Sequence, residues 1–255
     1  MSDLLQIDRV SRNFGGVQAL TNVSFSIQEN DIFGLIGPNG AGKTTLFNVL
    51  TGVLPPSAGQ ILFQGTPIAG QAPHHILKMG IARTFQNIRL FAGMTALENV
   101  LVGLHSQTRA GLFGAILRNT TTRREEAESR IMAASLLDKV GISRHSNTLA
   151  SNLSYGDQRR LEIARALASR PRLLALDEPA AGMNPAEREQ LRELIVRLRT
   201  EFSLTILVIE HDVKLMMQLC QRIAVLDFGE LITVDTPDRV RQHPQVIQAW
   251  LGAEA

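Results

Sequence analysis

Short β-branched and apolar runs alternate along this chain with longer stretches in which apolar residues recur every three to four positions. The runs at 31–36, 60–63, 173–176, 205–209 and 222–227 predict strands, and the patterns near 43–51, 123–140, 156–168, 186–202 and 213–220 predict helices. Strands alternating with helices point to an α/β fold with a mainly parallel core sheet. The first 35 residues and 60–68 read instead as short alternating strands, an antiparallel β edge subdomain. From Thr95 to Ser151 strand signals stop and helical ones dominate. The expected organisation is therefore one domain over 1–255, with a core of 1–94 and 152–255 and an inserted helical subdomain at 95–151. No repeat of 20–50 residues and no low-complexity tract is visible.

Smaller patterns carry structural expectations. Leu215, Met216, Leu219, Cys220 and Ile223 fall at helical spacing and are expected in the core. Val246, Ile247, Trp250 and Leu251 suggest an amphipathic C-terminal helix docked on the body. Arg123, Arg124, Glu125 and Glu126 read as a solvated helix face. The apolar run 111–117 is expected to pack within the helical subdomain, ahead of a membrane or partner surface.

Composition narrows the class. Among 255 residues, 26 Lys+Arg stand against 24 Asp+Glu, and 44% are hydrophobic, the proportions of a water-soluble fold. The near balance of charge and the lack of a long Lys/Arg tract argue against nucleic acid as a partner. No run reaches the roughly 18 consecutive apolar residues of a membrane span. The acidic start, MSDLLQIDRV, lacks the form of a signal peptide, so the chain is expected on the cytoplasmic side. The single cysteine, Cys220, excludes an internal disulfide framework and a multi-cysteine metal site.

Chemistry concentrates in a few places. Gly37, Pro38, Asn39, Gly40, Ala41, Gly42, Lys43, Thr44 and Thr45 satisfy G-x-x-x-x-G-K-[ST] between an expected strand and an expected helix. Glycines let backbone N–H groups turn inward around a phosphate, and the helix N-terminus adds positive charge there. Lys43 would reach the β- and γ-phosphates, and the Thr44 hydroxyl would ligate Mg²⁺. A second apolar strand ends in Asp177 and Glu178, at the edge where α/β folds bind ligands. Period-2 geometry turns the two carboxylates to opposite sides. Asp177 suits Mg²⁺ coordination through water, and Glu178 suits activation of the attacking water. Gln86 could touch both metal and water, and His211, after the 205–209 strand, could bond the γ-phosphate. Taken alone, Gln86 reads rather as a surface residue and His211 as a structural one. Ser154 is a good N-cap with Asp157 three residues on, and Gly156 opens the backbone at the helix start, a second anion-binding terminus.

The run Leu153, Ser154, Tyr155, Gly156, Asp157, Gln158 resembles the signature sequence of ABC-type ATPases, whose motif order the chain reproduces over nearly its whole length. The resemblance implies a P-loop NTPase fold that binds ATP and Mg²⁺. Phe14 would stack on adenine with Val17 beside it, and the signature would act in trans on ATP held by a second ATPase subunit, identical or paralogous. Glu178, His211 and Gln86 would form the catalytic set, with Thr44, Gln86 and Asp177 around the metal. Tyr155 and Asp157 stand where Gly and Gln are frequent, and Asn184 where an interface Asp is usual.

Within the group the chain is similar to ATP-binding subunits of branched-chain (hydrophobic) amino acid importers. Residues 84–91, 94–100, 153–165 and 180–185 carry that likeness, with the long 105–130 stretch. It implies integral membrane permease subunits as partners, contacted through Gln86 and 87–99, indirectly a substrate-binding protein, and a peripheral place on the cytoplasmic face of the inner membrane. A cassette for another substrate such as urea, a soluble non-transport ATPase, a P-loop kinase or GTPase, and a nucleotide sensor remain alternatives. The absence of an Asn-Lys-x-Asp guanine-reading motif weighs against a GTPase.

Overall fold

The computed structural model describes residues 3–104 and 120–251. The apolar run 111–117 lies outside the described residues, as do the side chains of Trp250 and Leu251. The chain divides into two compact units, one of residues up to Arg83 and from Arg172 onward, the other of Thr84–Pro171.

The first unit holds two sheets. Strands β1 (Asp3–Phe14), β2 (Val17–Gln28), β4 (Ala58–Phe63) and β5 (Thr66–Pro67) form an antiparallel sheet in the order β2-β1-β4-β5. Strands β3 (Ile32–Ile36), β6 (Ile81–Arg83), β7 (Leu173–Asp177), β8 (Thr205–Ile209), β9 (Arg222–Asp227) and β10 (Glu230–Asp235) form the second, in the order β10-β9-β3-β8-β7-β6. Its neighbours are parallel except the β9–β10 hairpin at one edge. Strands β3, β7 and β8 are buried at every position, which is why they read as unbroken apolar runs without alternation.

Helix α1 (Lys43–Leu50) packs between the sheets, its Leu46, Phe47, Val49 and Leu50 joining Leu5, Ile7, Leu20, Phe33 and Leu35 in one core. Helices α2 (Pro73–Met79), α6 (Pro185–Phe202), α7 (Val213–Leu219), α8 (Pro237–Gln242) and α9 (Pro244–Leu251) complete this unit. Asn184 caps α6 in a reciprocal box with Glu187: each backbone N–H donates to the other side chain, at 2.9 and 3.0 Å. In α9, Val246 is buried and Ile247 exposed.

Gly34 explains how α7 docks. A Cβ there would lie 2.7 Å from the Met216 terminal methyl and 2.9 Å from Cys220 Sγ, so the missing side chain makes their room. The predicted core set of Leu215, Met216, Leu219, Cys220 and Ile223 is buried throughout. Burial also drives the Cys220 thiol far above its ordinary pKa. Cys220 should therefore resist a thiol-specific disulfide reagent in the native protein and react at once in denaturant. Fast native labelling at this single cysteine would contradict that packing.

The second unit is built on α3 (Ala96–Leu104), α4 (Thr120–Lys139) and α5 (Tyr155–Ala168). A Cβ on Gly103 would meet the Arg165 carbonyl and the Ala168 side chain, so the backbone of α3 rests directly on α5. Buried Asn99 accepts from the Phe91 N–H at 2.9 Å and donates to the Phe91 and Thr95 carbonyls, fixing the turn before α3. Arg124, Glu125 and Glu126 are exposed, and Arg124–Glu128 and Glu126–Arg130 pair one turn apart.

Candidate nucleotide-binding site

Four neighbouring parallel strands end side by side, and each delivers polar groups at its carboxyl edge. From β3 comes the loop 37–42, from β8 Glu210 and His211, from β7 Asp177 and Glu178, and from β6 Arg83. That edge is where parallel sheets bind ligands.

The loop is shaped by its glycines and held from outside. A Cβ on Gly37 would strike the Leu226 carbonyl oxygen, and one on Gly42 would lie 2.7 Å from the Ala19 carbonyl. Gly40 and Gly42 have left-handed φ values of 81° and 97°. Gly229 N–H donates to the Ala41 carbonyl at 3.1 Å, tying the loop to the turn after β9. Lys43 is buried, and its ammonium donates to the Gly37 and Pro38 carbonyls at 2.7 and 2.9 Å. Burial lowers its pKa, while the negative charge of Glu178 pulls it back up. Thr44 is exposed at the first turn of α1 and Thr45 half-buried.

Asp177 ends β7 and is buried; its Oδ2 lies 3.5 Å from an Arg83 Nη. The other Arg83 Nη donates to Asn48 at 3.0 Å and Thr51 at 2.7 Å, and the guanidinium lies over the Phe47 ring. Arg83 thus ties the Asp177 strand to the helix that follows the phosphate loop. Glu178 has φ +45°, rare for a residue with a side chain, and its N–H donates to the Ile209 carbonyl at 2.9 Å. Its Oε2 lies 3.8 Å from His211 Nδ1.

Glu210 reads in the sequence only as the polar end of an apolar strand. Its side chain is 1% exposed, with Oε1 accepting from Ala180 N–H at 2.7 Å and Oε2 from His211 N–H at 3.3 Å. Its Oε2 is 3.7 Å from His211 Nδ1. Burial raises its pKa, against the Ala180 amide and His211, and Glu178 adds to the rise.

Phe14 and Val17 pair across the β1–β2 turn, both exposed, with the Arg12 guanidinium 4.7 Å from the Phe14 ring centre. Gln86 and the signature residues belong to the second unit. Ser154 caps α5 by accepting from Asp157 N–H at 3.2 Å, while the Asp157 carboxylate lies 3.7 Å from His145. Tyr155 is exposed, Gly156 half-buried, and Gln158 donates to the Leu153 carbonyl.

Arg159 and Glu162, within the 153–165 stretch, form a buried pair. Arg159 donates to the Phe85 carbonyl at 2.7 Å, to the Gln86 carbonyl and to Glu162, and Glu162 accepts from Arg89 N–H at 3.1 Å. The signature helix thereby grips the backbone on both sides of Gln86. Their side-chain type was visible in the sequence; their burial was not.

The chain matches the ABC transporter family over residues 20–181 and a branched-chain amino acid ATP-binding cassette transporter family over 230–255. It is 47% identical to the high-affinity branched-chain amino acid transport ATP-binding protein LivG of Escherichia coli K12, over 98% of each chain. It is 44% identical, with the same coverage, to BraF of Pseudomonas aeruginosa, a protein of the same description. The crystal structure of an ATP-binding cassette of an ABC transporter, MJ1267, in its ADP conformation superposes with a TM-score of 0.86 at 28% identity, covering 99% of this chain and 100% of that one. A dimeric cassette, MJ0796, in a post-hydrolysis state with ADP and Pi gives 0.76 at 26% identity, over 91% and 98%. With near-half identity along its length and the glycine loop, carboxylate pair and histidine aligned on one sheet edge, the chain belongs to the ABC transporter family, among the ATP-binding proteins of the LivG group.

Proposed function

We propose that this chain is the ATP-hydrolysing subunit of an importer for branched-chain amino acids. What supports it most directly is the meeting of Lys43, Asp177, Glu178 and His211 at the carboxyl edge of β3, β8 and β7, in a chain so similar to LivG and BraF.

Phosphoryl transfer to water needs positioning and charge neutralisation more than covalent chemistry. In this reading the amides of 37–45 and Lys43 hold the β- and γ-phosphates, and Phe14 with Val17 receives adenine. Thr44 hydroxyl and the Asp177 carboxylate are oxygen donors of the kind Mg²⁺ takes, directly or through water, and the amide oxygen of Gln86, in the second unit, is of the same kind. Bound Mg²⁺ would supply charge neutralisation on the phosphate oxygens. Glu178 accepts a proton from the attacking water, and His211 donates a hydrogen bond to the γ-phosphate.

Leu153–Gln158 would close on ATP held by a second cassette, self or paralogue, with Ser154, Tyr155, Gly156, Asp157 and Gln158 at the helix terminus that faces it. Loss of the γ-phosphate would then release the closed pair. Because α5 holds the Gln86 backbone through Arg159 and Glu162, movement of 87–99 by a permease would travel to the signature. No helix among the described residues is long and apolar enough to cross a membrane, so in this reading the spans come from separate permease subunits at the inner membrane's cytoplasmic face. A substrate-binding protein would deliver the amino acid from outside.

The test is to co-purify the chain with its membrane partners, reconstitute them in vesicles and supply Mg-ATP. ATP-dependent uptake of labelled leucine, isoleucine or valine is expected, with little turnover of GTP. Co-purification with ribosomes or DNA in place of membrane proteins would overturn the transport reading.

A further inference from the structure

Glu210 is the buried carboxylate of the site to which the mechanism above gives no task. It stands where two loops meet: the turn after β7, which carries Glu178 and leads through Ala180 to Asn184, and the turn after β8, which carries His211. One oxygen takes the Ala180 N–H at 2.7 Å; the other takes the His211 N–H at 3.3 Å and faces His211 Nδ1 at 3.7 Å. His211 Nδ1 is almost equidistant from Glu178 Oε2, at 3.8 Å. The imidazole therefore sits between an inner carboxylate that is fully enclosed and an outer one that is partly open, while its own side chain is 61% exposed. Packing holds so exposed a ring only weakly, so its direction depends on what faces Nδ1.

A buried carboxylate is costly unless its oxygens are matched, and here both are matched by groups of the two loops it joins. A leucine or valine, as in the preceding β8, would fill the space without that cost. We propose that Glu210 is a positioning residue: it clamps the Ala180 turn to the His211 turn and aims the imidazole, so that Glu178 and His211 reach the γ-phosphate in register. The inference rests on the ATP-hydrolysis reading for its kinetic consequence, though not for the clamp itself.

The test uses the full-length chain and two substitutions. Glu210→Gln keeps an oxygen for the Ala180 N–H but removes the charge facing the imidazole; Glu210→Ala removes both. For Glu210→Gln, kcat should fall roughly tenfold, the equivalent of one hydrogen bond to a charged group, with KM for ATP unchanged. In a His211→Ala background the same substitution should change kcat by less than about twofold, because the two act through one another. Hydrogen exchange, read without nucleotide, should show the Ala180 amide protected in wild type and Glu210→Gln, and faster by at least roughly tenfold in Glu210→Ala. Wild-type kcat in Glu210→Gln, equal losses in both backgrounds, or undiminished Ala180 protection in Glu210→Ala would each overturn the proposal. A wild-type chain with no ATPase activity would count against the hydrolysis reading, and the exchange experiment would still judge the clamp.

Discussion

Glu178→Gln should reduce steady-state ATP hydrolysis by roughly a thousandfold, the scale of a lost general base, while ATP stays bound. The substitution is nearly isosteric, so the turn that holds the residue at φ +45°, with its N–H on the Ile209 carbonyl, is left in place. What is lost is the proton acceptor. The negative charge near Lys43 and His211 goes with it, and a neutral amide repels the triphosphate less than a carboxylate does. Turnover and affinity should thus move in opposite directions. Phosphate release measured beside retention of labelled ATP on the isolated protein reads both. Hydrolysis within a few-fold of wild type would remove Glu178 from the role of base.

The strands that carry this chemistry were legible because complete burial leaves no ambiguity. The run 173–176 is apolar throughout and 205–209 is apolar after Thr205, and β7 and β8 match them to within one residue. The antiparallel sheet was harder to read. Strands β1 and β2 are twelve residues each, well beyond the short strands the alternation suggests. Their register slips between Ile7 and Val10 and again near Arg12, and Arg9 and Asn22 take positive φ. Each slip resets which residues face inward, so a period-2 reading breaks the strand in pieces. Strand β6 is three residues long, too short for any period, yet it brings Arg83 to Asp177.

Within the site, motif residues were legible by type and spacing, and their supports were not. Lys43 and the Asp177–Glu178 pair sit in patterns that only phosphate chemistry requires together. Glu210, Arg83, Arg159 and Glu162 have no such pattern. What marks them is enclosure, complete for Glu210, Arg159 and Glu162 and partial for Arg83, together with a bond from each to a segment beside a motif. Burial is a property of the folded chain, and a lone Glu after an apolar strand looks the same whether enclosed or solvated. The N-cap at Ser154 shows the same limit: the hydroxyl caps as its type predicts, while the Asp157 carboxylate faces His145, twelve residues earlier.

Lys43→Ala should weaken ATP binding by about a hundredfold or more, the value of one or two charge-assisted contacts to phosphate. The question is whether the loss is one of binding or of folding, since Lys43 also bonds the Gly37 and Pro38 carbonyls. The loop has other anchors: Ala41 N–H on the Pro38 carbonyl, Gly229 N–H on the Ala41 carbonyl, and Leu46 N–H on that of Gly42. Removing the ammonium frees two carbonyls at the mouth of the loop, where water can take its place, and it also removes a desolvated charge. The fold should therefore survive, with far-ultraviolet circular dichroism unchanged, and the deficit should appear in nucleotide titration. A pH series separates the ammonium from mere bulk. Burial lowers the Lys43 pKa, and phosphate is held by the protonated form. Wild-type affinity should accordingly decline as pH rises toward that lowered value, sooner than for a solvated lysine, whereas the Lys43→Ala profile should lack this step. Binding by the variant within threefold of wild type, or the same alkaline decline in both, would show that the ammonium does not hold the phosphates.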